Sequence, residues 1–248
     1  MMSDANYFYG RIDDLICREQ NGEGMAFSAF LTPEESAVAE RYCQKRKVDY
    51  CLYGGYDQSE RMVLAISSYD LDLLKTCFPI TLLLIHSKEL DHITHKDILG
   101  SLMASGIRRD QLGDIIVRDG GAMFFVLDHI KGYLIQNIKT IGHCGVELIE
   151  AMEDYSVPER QFEDVRFTAA SLRLDAVVGG LCHFSRGQAE QAILNKMVSL
   201  NHITIEKKTK EIANGDRIVV RGKGKWIVDK CDALTKKGRV IVICRKYI

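Results

Sequence analysis

No stretch of this sequence approaches the roughly eighteen apolar residues that a membrane-spanning helix needs. The longest candidate, Ile80 to Ile85, has only the length of a strand. The opening residues Met1-Met2-Ser3-Asp4 lack the basic-then-apolar order of a secretory signal. The eight cysteines, at 17, 43, 51, 77, 144, 182, 231 and 244, never fall in a C-x-x-C pair. That spacing argues against a zinc ribbon, and without an export signal a disulfide scaffold is not expected. Reduced core cysteines in a cytoplasmic protein are the expectation. What is present is ordinary for a soluble globular chain: 46% hydrophobic and 27% charged residues over 248 positions. That length has room for from one to about three modest domains, each burying its own core.

The formal net charge of −1 conceals two opposite parts. Residues 168–248 hold 16 Lys and Arg against 7 Asp and Glu, and residues 1–167 hold 17 against 27. An acidic body joined to a basic tail points to a polyanionic partner for the tail alone.

Three segments can be read along the chain. In the first, residues 1–69, Thr32-Pro33-Glu34-Glu35 supplies an N-cap, a first-turn proline and a capping-box carboxylate. A helix is expected over 33–46 with Ala37, Val38 and Tyr42 inward, followed by strands over 48–53 and 62–66 around the turn-prone pair Gly54-Gly55. In the second, residues 70–153, strand Ile80–Ile85 precedes a helix capped by Thr94, with Ile98, Leu99, Leu102 and Met103 at helical spacing and Gly106 as its left-handed stop. Strands over 114–117 and 123–127 flank Asp119-Gly120-Gly121, a hairpin signal. A helix over 129–139 and a strand over 146–149 finish an RNA-recognition-motif-like α+β succession. Its base-stacking aromatic motif is missing, and Phe124-Phe125 reads as a core hairpin. Residues 154–166, polar and carrying Pro158, read as a linker.

The third segment, 167–248, carries the chemistry. Ser171 to Val178 begins a helix with Ser171 available as cap, and Ser185-Arg186-Gly187-Gln188 begins a second with a capping box. Ala189, Ala192 and Ile193 form the second helix's inner stripe. A strand over 197–200, the pair Asn201-His202, the lysines 207, 208 and 210, and the turn Asn214-Gly215-Asp216 into a strand over 217–221 follow. Gly222-Lys223-Gly224-Lys225-Trp226 then turns the chain again. Arg173 and Arg186, each at a helix start, would sit where open N–H groups and the helix dipole favour a phosphate. A-form RNA is read mainly by shape, phosphate and 2′-hydroxyl contacts, so such a surface needs no base readout. Alanine at Arg173 or Arg186 would then weaken RNA binding by about 1–3 kcal/mol and leave thermal stability nearly unchanged.

The order RLD, SR-x-x-A-x-x-x-I, V-x-L-N and GD-x-I-x-V over residues 167–226 resembles the S4 RNA-binding domain. Lys196 departs from the usual pattern, which has glycine before a V-x-V-N strand. His95 to Met103, Ser105-Gly106-Ile107-Arg108-Arg109, Gly113-Asp114-Ile115, Tyr53-Gly54-Gly55-Tyr56 and Glu60-Arg61 resemble the bacterial YlmH family, as does the stretch Arg221–Trp226 after the S4 module. The resemblance implies an N-terminal α/β domain, a central RRM-like α+β domain and a C-terminal S4 domain with a β extension. It also implies a non-enzymatic factor of ribosome-associated quality control. Such a factor binds ribosomal RNA and tRNA on a large subunit still carrying peptidyl-tRNA, and supports C-terminal tailing alongside other quality-control factors. A cytoplasmic monomer without membrane contact, cofactor or metal is expected.

Charge and resemblance together assign RNA contacts to Arg173, Asp175, Ser185, Arg186, Gln188, Lys196, Asn201, Lys207, Lys208, Lys210, Arg221, Lys223 and Lys225. Phe184, Trp226 and Tyr247 are the few candidates for base stacking. An S4-containing pseudouridine synthase is the enzymatic alternative. Its catalytic aspartate would need an R-L-D motif after the module, and here the one R-L-D lies inside it, where Asp175 fixes Arg173 or caps locally. A protein-interaction scaffold linked to cell division is the other alternative. His92-Ile93-Thr94-His95 has no carboxylate or cysteine cluster to complete a metal site.

Overall fold

In the computed structural model, which describes residues 4–22, 24–67, 75–88, 92–118, 121–152, 155–157, 161–236 and 238–248, the chain divides into two units, Met1–Val157 and Pro158–Ile248. The first unit opens with helix α1 (Asp4–Gln20), strand β1 (Ala26–Leu31), helix α2 (Pro33–Arg46) and strands β2 (Tyr50–Tyr53) and β3 (Met62–Ile66). The capping box of α2 forms as its sequence dictates: Thr32 Oγ1 accepts from Glu35 N–H, and Thr32 N–H donates to Glu35 Oε2 at 2.7 Å. The inner face of α2 is Ser36, Ala39 and Cys43, not Ala37, Val38 and Tyr42, which are half-buried. Small side chains face the sheet, while Tyr42 sits at the margin, where it packs on Tyr9 and donates to Asp13 of α1. Burial pushes the Cys43 thiol up to about 11. Cys17 and Cys77 are exposed, so not every cysteine is a core residue as expected; all eight are free thiols.

The rest of this unit is strand β4 (Ile80–His86), helix α3 (His95–Ala104), strands β5 (Leu112–Arg118) and β6 (Gly121–Leu127), helix α4 (Asp128–Asn137), the short pair β7 (Thr140–Ile141) and β8 (Cys144–Gly145), and strand β9 (Glu147–Glu150). The order in the four-stranded sheet is β5-β6-β4-β9, antiparallel throughout, which is the RRM-like α+β topology. The turn expected at Asp119-Gly120 lies outside the described residues, as do Asp154 and Pro158 of the expected linker. On α3, Ile98 and Leu102 are buried, but Met103 is 43% exposed. Among the described residues no helix is long and apolar enough to cross a membrane.

Three apolar layers hold this unit. Helices α1 and α2 cover one face of the three-stranded sheet β1-β3-β2 through Ile12, Ile16, Ala39, Leu64 and Ile66. Helices α3 and α4 cover the four-stranded sheet through Ile98, Leu102, Phe124, Ile130 and Leu134. Between the sheets lie Phe30, Val63, Ala65, Phe78, Phe125 and Leu127. The expected boundary between residues 69 and 70 therefore runs across a shared core. The seam is tied by Asp114, which accepts from Tyr56 Oη at 2.8 Å and from the backbone N–H groups of Glu60 at 2.7 Å and Arg61 at 3.0 Å. Gly55 lies here with φ +100, and a Cβ would fall 2.4 Å from the Phe125 ring, so only glycine fits.

The second unit comprises strand β10 (Phe162–Ala169), helices α5 (Leu174–Cys182) and α6 (Arg186–Leu194), and strands β11 (Val198–Leu200), β12 (Ile203–Thr204), β13 (Arg217–Val220), β14 (Gly224–Leu234) and β15 (Val240–Tyr247). They make one antiparallel sheet in the order β10-β15-β14-β13-β11-β12. Strand β10 starts within the segment expected to be linker, because residues 162–169 pair in register with β15. Leu174, Val177, Val178 and Leu181 of α5, with Ala189, Ala192 and Ile193 of α6, pack on Val198, Ile218, Val220, Trp226, Val228 and Val242. A Cβ on Gly180 would fall 2.1 Å from the Phe167 ring, so glycine lets α5 lie close to the sheet.

Candidate nucleic-acid interface

Helix α5 begins later than its sequence implies. Arg173 is its N-cap rather than a helical residue, and Ser171 does not cap it. The reason lies in the loop that carries the lysines. Leu174 N–H donates to Lys210 O at 2.8 Å, Asp175 N–H to Lys208 O at 3.2 Å, and Ile212 N–H to Leu172 O at 2.9 Å. Asp175 Oδ1 accepts from Ala176 N–H at 2.9 Å. The first-turn donors of α5 are thus occupied, and the expectation that they stand open to a phosphate is corrected. At α6 the capping box between Ser185 and Gln188 forms. It leaves the N–H groups of Arg186 and Gly187 as the open first-turn donors among the described residues, on the positive end of the helix.

Several of the expected residues share one charged network. Arg173 grips Asp175 with two bonds, Nε to Oδ1 at 3.1 Å and Nη2 to Oδ2 at 2.6 Å. Arg186 Nε and Lys208 Nζ both reach Glu190, at 3.2 and 2.9 Å. Burial alone would raise the Asp175 carboxyl. The bonds from Arg173 and Ala176 N–H, with the charges of Arg173 and Arg186, outweigh it and hold the group below the usual carboxylate range. Lys208 and then Arg186 likewise pull Glu190 down. Glu190 is absent from the expected residues, although its place four residues after Arg186 is a legible helix pair. Lys207 and Lys210 flank the network on the same loop, and Lys210 N–H closes that loop on Lys207 O at 3.1 Å. Lys223, in the turn between β13 and β14, lies over the Phe184 ring at 5.4 Å, immediately before the start of α6.

Other expected residues are placed elsewhere or are already engaged. Ser185 and Gln188 are consumed by the cap. Asn201 is a structural lock: its side chain donates to Asp216 at 2.7 Å and accepts from Arg217 N–H at 2.8 Å, which fixes the left-handed Asn201-His202 turn. Lys196 adopts φ +56, the conformation that suits glycine, and pairs with Glu206 at 2.9 Å. Arg221 N–H donates to Met197 O, and Lys225 stands on β14 opposite Val219. Of the stacking candidates, Trp226 is 2% exposed and belongs to the core, and Tyr247 packs against Phe162. Phe184 is partly buried beneath Lys223. Among the described residues no His, Cys, Asp and Glu side chains cluster to hold a metal ion.

The Arg173–Asp175 pair changes what a substitution should do. Asp175 is 7% exposed at its side chain, so Arg173→Ala leaves a buried carboxylate with little compensation. Arg173 itself is 37% exposed, and solvent screening softens the loss. The stability expected to be unchanged should therefore fall. Because the carboxyl is held low in the folded state, the pair stabilises the fold above the unfolded carboxylate range and is lost as pH drops through the folded value. Urea unfolding at neutral pH, followed by Trp226 fluorescence, should show an earlier midpoint for Arg173→Ala. An unchanged midpoint would contradict the role given to the pair.

Residues 75–154 match a family model described as "Putative RNA-binding domain in YlmH". Over 217 residues, 87% of this chain and 84% of the relative, the sequence is 25% identical to "Ribosome-associated protein quality control protein P2" of Bacillus subtilis (strain 168). The fold is similar to that of a solved structure, "Cell division protein ylmH from Streptococcus pneumoniae". That match has a TM-score of 0.51 and 19% identity, and covers 61% of this chain and 93% of that one.

Proposed function

We propose that this chain, a YlmH-like protein by sequence and fold, binds structured RNA of the large ribosomal subunit and serves ribosome-associated quality control without catalysing a reaction. The observation that carries the reading is the joining of the lysine loop to both helix starts. Backbone bonds from Leu174 and Asp175 fix residues 208–210 against α5, and Glu190 draws Lys208 beside Arg186. Arg186, Lys207, Lys208, Lys210 and Lys223, with Arg173 beside them, then form a basic surface on which a phosphate competes with the Glu190 carboxylate for Arg186 and Lys208. Exposed ion pairs are weak, so exchanging Glu190 for a phosphate costs little. The Bacillus subtilis relative's name supports the quality-control role. In that role the RNA includes tRNA held on the subunit, and tailing of the stalled chain is the process supported.

Filter binding of a ribosomal RNA stem–loop to residues 158–248 and to residues 1–157 tests this. The C-terminal unit has its own core and sheet, so it should fold alone and bind within severalfold of the full chain. The acidic N-terminal unit should bind at least about tenfold more weakly, as a unit with fewer phosphate contacts must. Equal binding by the two units, or binding by the N-terminal unit alone, would overturn the reading.

A further inference from the structure

In a β-α-β-β-α-β fold the open sheet face is the usual platform for bases, and here that face is closed. Phe124 points toward α3 and α4 and is 0% exposed, and Phe125 is 2% exposed, stacked on Tyr56 at 5.2 Å in the layer between the sheets. Any RNA met by this part of the chain must be met elsewhere. Three of its cations are paired with carboxylates: Lys75 with Asp57 at 3.3 Å, Arg108 with Asp110 at 3.2 Å and Lys131 with Glu150 at 2.6 Å. Arg109 is turned onto the carbonyls of Leu112 and Gly113.

Lys88 and Lys139 have no carboxylate within ion-pair distance among the described residues, and Lys139 Nζ donates to Ile135 O at 2.9 Å, which leaves its charge unneutralised. The topology brings them together. The end of β4 pairs with β9, placing His86 opposite Glu147. Ser87 Oγ donates to Gly145 O at 2.8 Å, and Val146 N–H to Lys139 O at 2.9 Å. Between these segments lies an open cleft of about 770 Å³, lined by His86, Ser87, Lys88, Lys139, His143 and Glu147 among others. It offers two ammonium groups and two imidazoles against one carboxylate, and its lining holds no Phe, Tyr or Trp ring.

We propose that this cleft receives phosphodiester groups of RNA, as a contact separate from the C-terminal unit and indifferent to sequence. The inference rests on the reading that the chain binds RNA. The donor set is the ground for it: ammonium and imidazole groups, with no Phe, Tyr or Trp ring among them, fit the phosphate backbone better than the bases.

The test uses the full chain in a background of Lys207→Gln, Lys210→Gln and Lys223→Gln, with a ribosomal RNA stem–loop as probe and affinity measured across salt concentrations. Adding Lys88→Glu with Lys139→Glu should lower the residual affinity at low salt by about tenfold and flatten the log–log salt slope by about 1.4–1.8, the loss of two phosphate contacts. Glu147→Gln should move affinity the other way. Residual affinity and slope the same in all three proteins would overturn the inference. The three C-terminal substitutions report separately on the C-terminal reading. Their failure to weaken binding would count against that reading and leave the comparison across the cleft to decide this one.

Discussion

Replacing Asp114 with alanine should unfold the N-terminal unit at a much lower urea concentration and leave the C-terminal unit where it is. Asp114 is 9% exposed and accepts three hydrogen bonds, two of them from backbone groups of the loop that leads into β3. Alanine would strand those donors in the seam between the sheets. It would also remove a negative charge that faces two crowded guanidiniums. Burial lowers Arg61, although Glu35, Asp114 and Asp110 oppose the shift. Burial and then the neighbouring Arg61 charge bring Arg109 down to about 10, again opposed by Asp114. Losing a buried charged acceptor of this kind costs about 3–5 kcal/mol. Asp114→Asn, which keeps an acceptor oxygen, should cost less. Trp226 is the chain's one tryptophan and lies in the other unit. Its fluorescence should therefore report an unmoved transition while circular dichroism shows an early one. Two transitions at their original midpoints would show that Asp114 does not tie the seam.

What could be read from the sequence divides by the range of the interaction. Capping boxes at Thr32, Thr94 and Ser185 are local chemistry, and each helix start formed as read. The alanine stripe of α6 was also legible, because periodicity alone determines it. The start of α5 was not. It is set by carbonyls of Lys208 and Lys210, more than thirty residues downstream, which take the N–H groups that Ser171 would otherwise have served. The inner face of α2 escaped for a similar reason: three small residues face the sheet because α1 packs beside it and takes Tyr42. Tyr53-Gly54-Gly55-Tyr56, Glu60-Arg61 and Gly113-Asp114 stand out in the sequence as motif residues, but only the sheet-on-sheet packing explains them, as parts of one buried seam. At the basic surface residue types are legible and pairings are not: Trp226, a stacking candidate by residue type, is core.

The C-terminal unit's 16 cations against 7 carboxylates over residues 168–248 make phosphate neutralisation the central claim. In the C-terminal unit Arg186, Lys207, Lys208, Lys210 and Lys223 are the five side chains proposed to meet phosphates, Arg173 being held by Asp175. With about five contacts, counterion release gives a log–log slope of affinity against salt of roughly −3.5 to −4.5, the limits being single-stranded and duplex RNA. Between 50 and 200 mM salt, affinity should then fall by about 100- to 500-fold. The acidic N-terminal unit should steer the orientation of approach more than it changes the affinity. The decisive measurement is the affinity of the full chain, and of residues 158–248, for a ribosomal RNA stem–loop over that range of salt. A steep fall shared by both proteins is the predicted result. A flat response would mean that stacking or base-specific contacts hold the RNA, and would contradict the account.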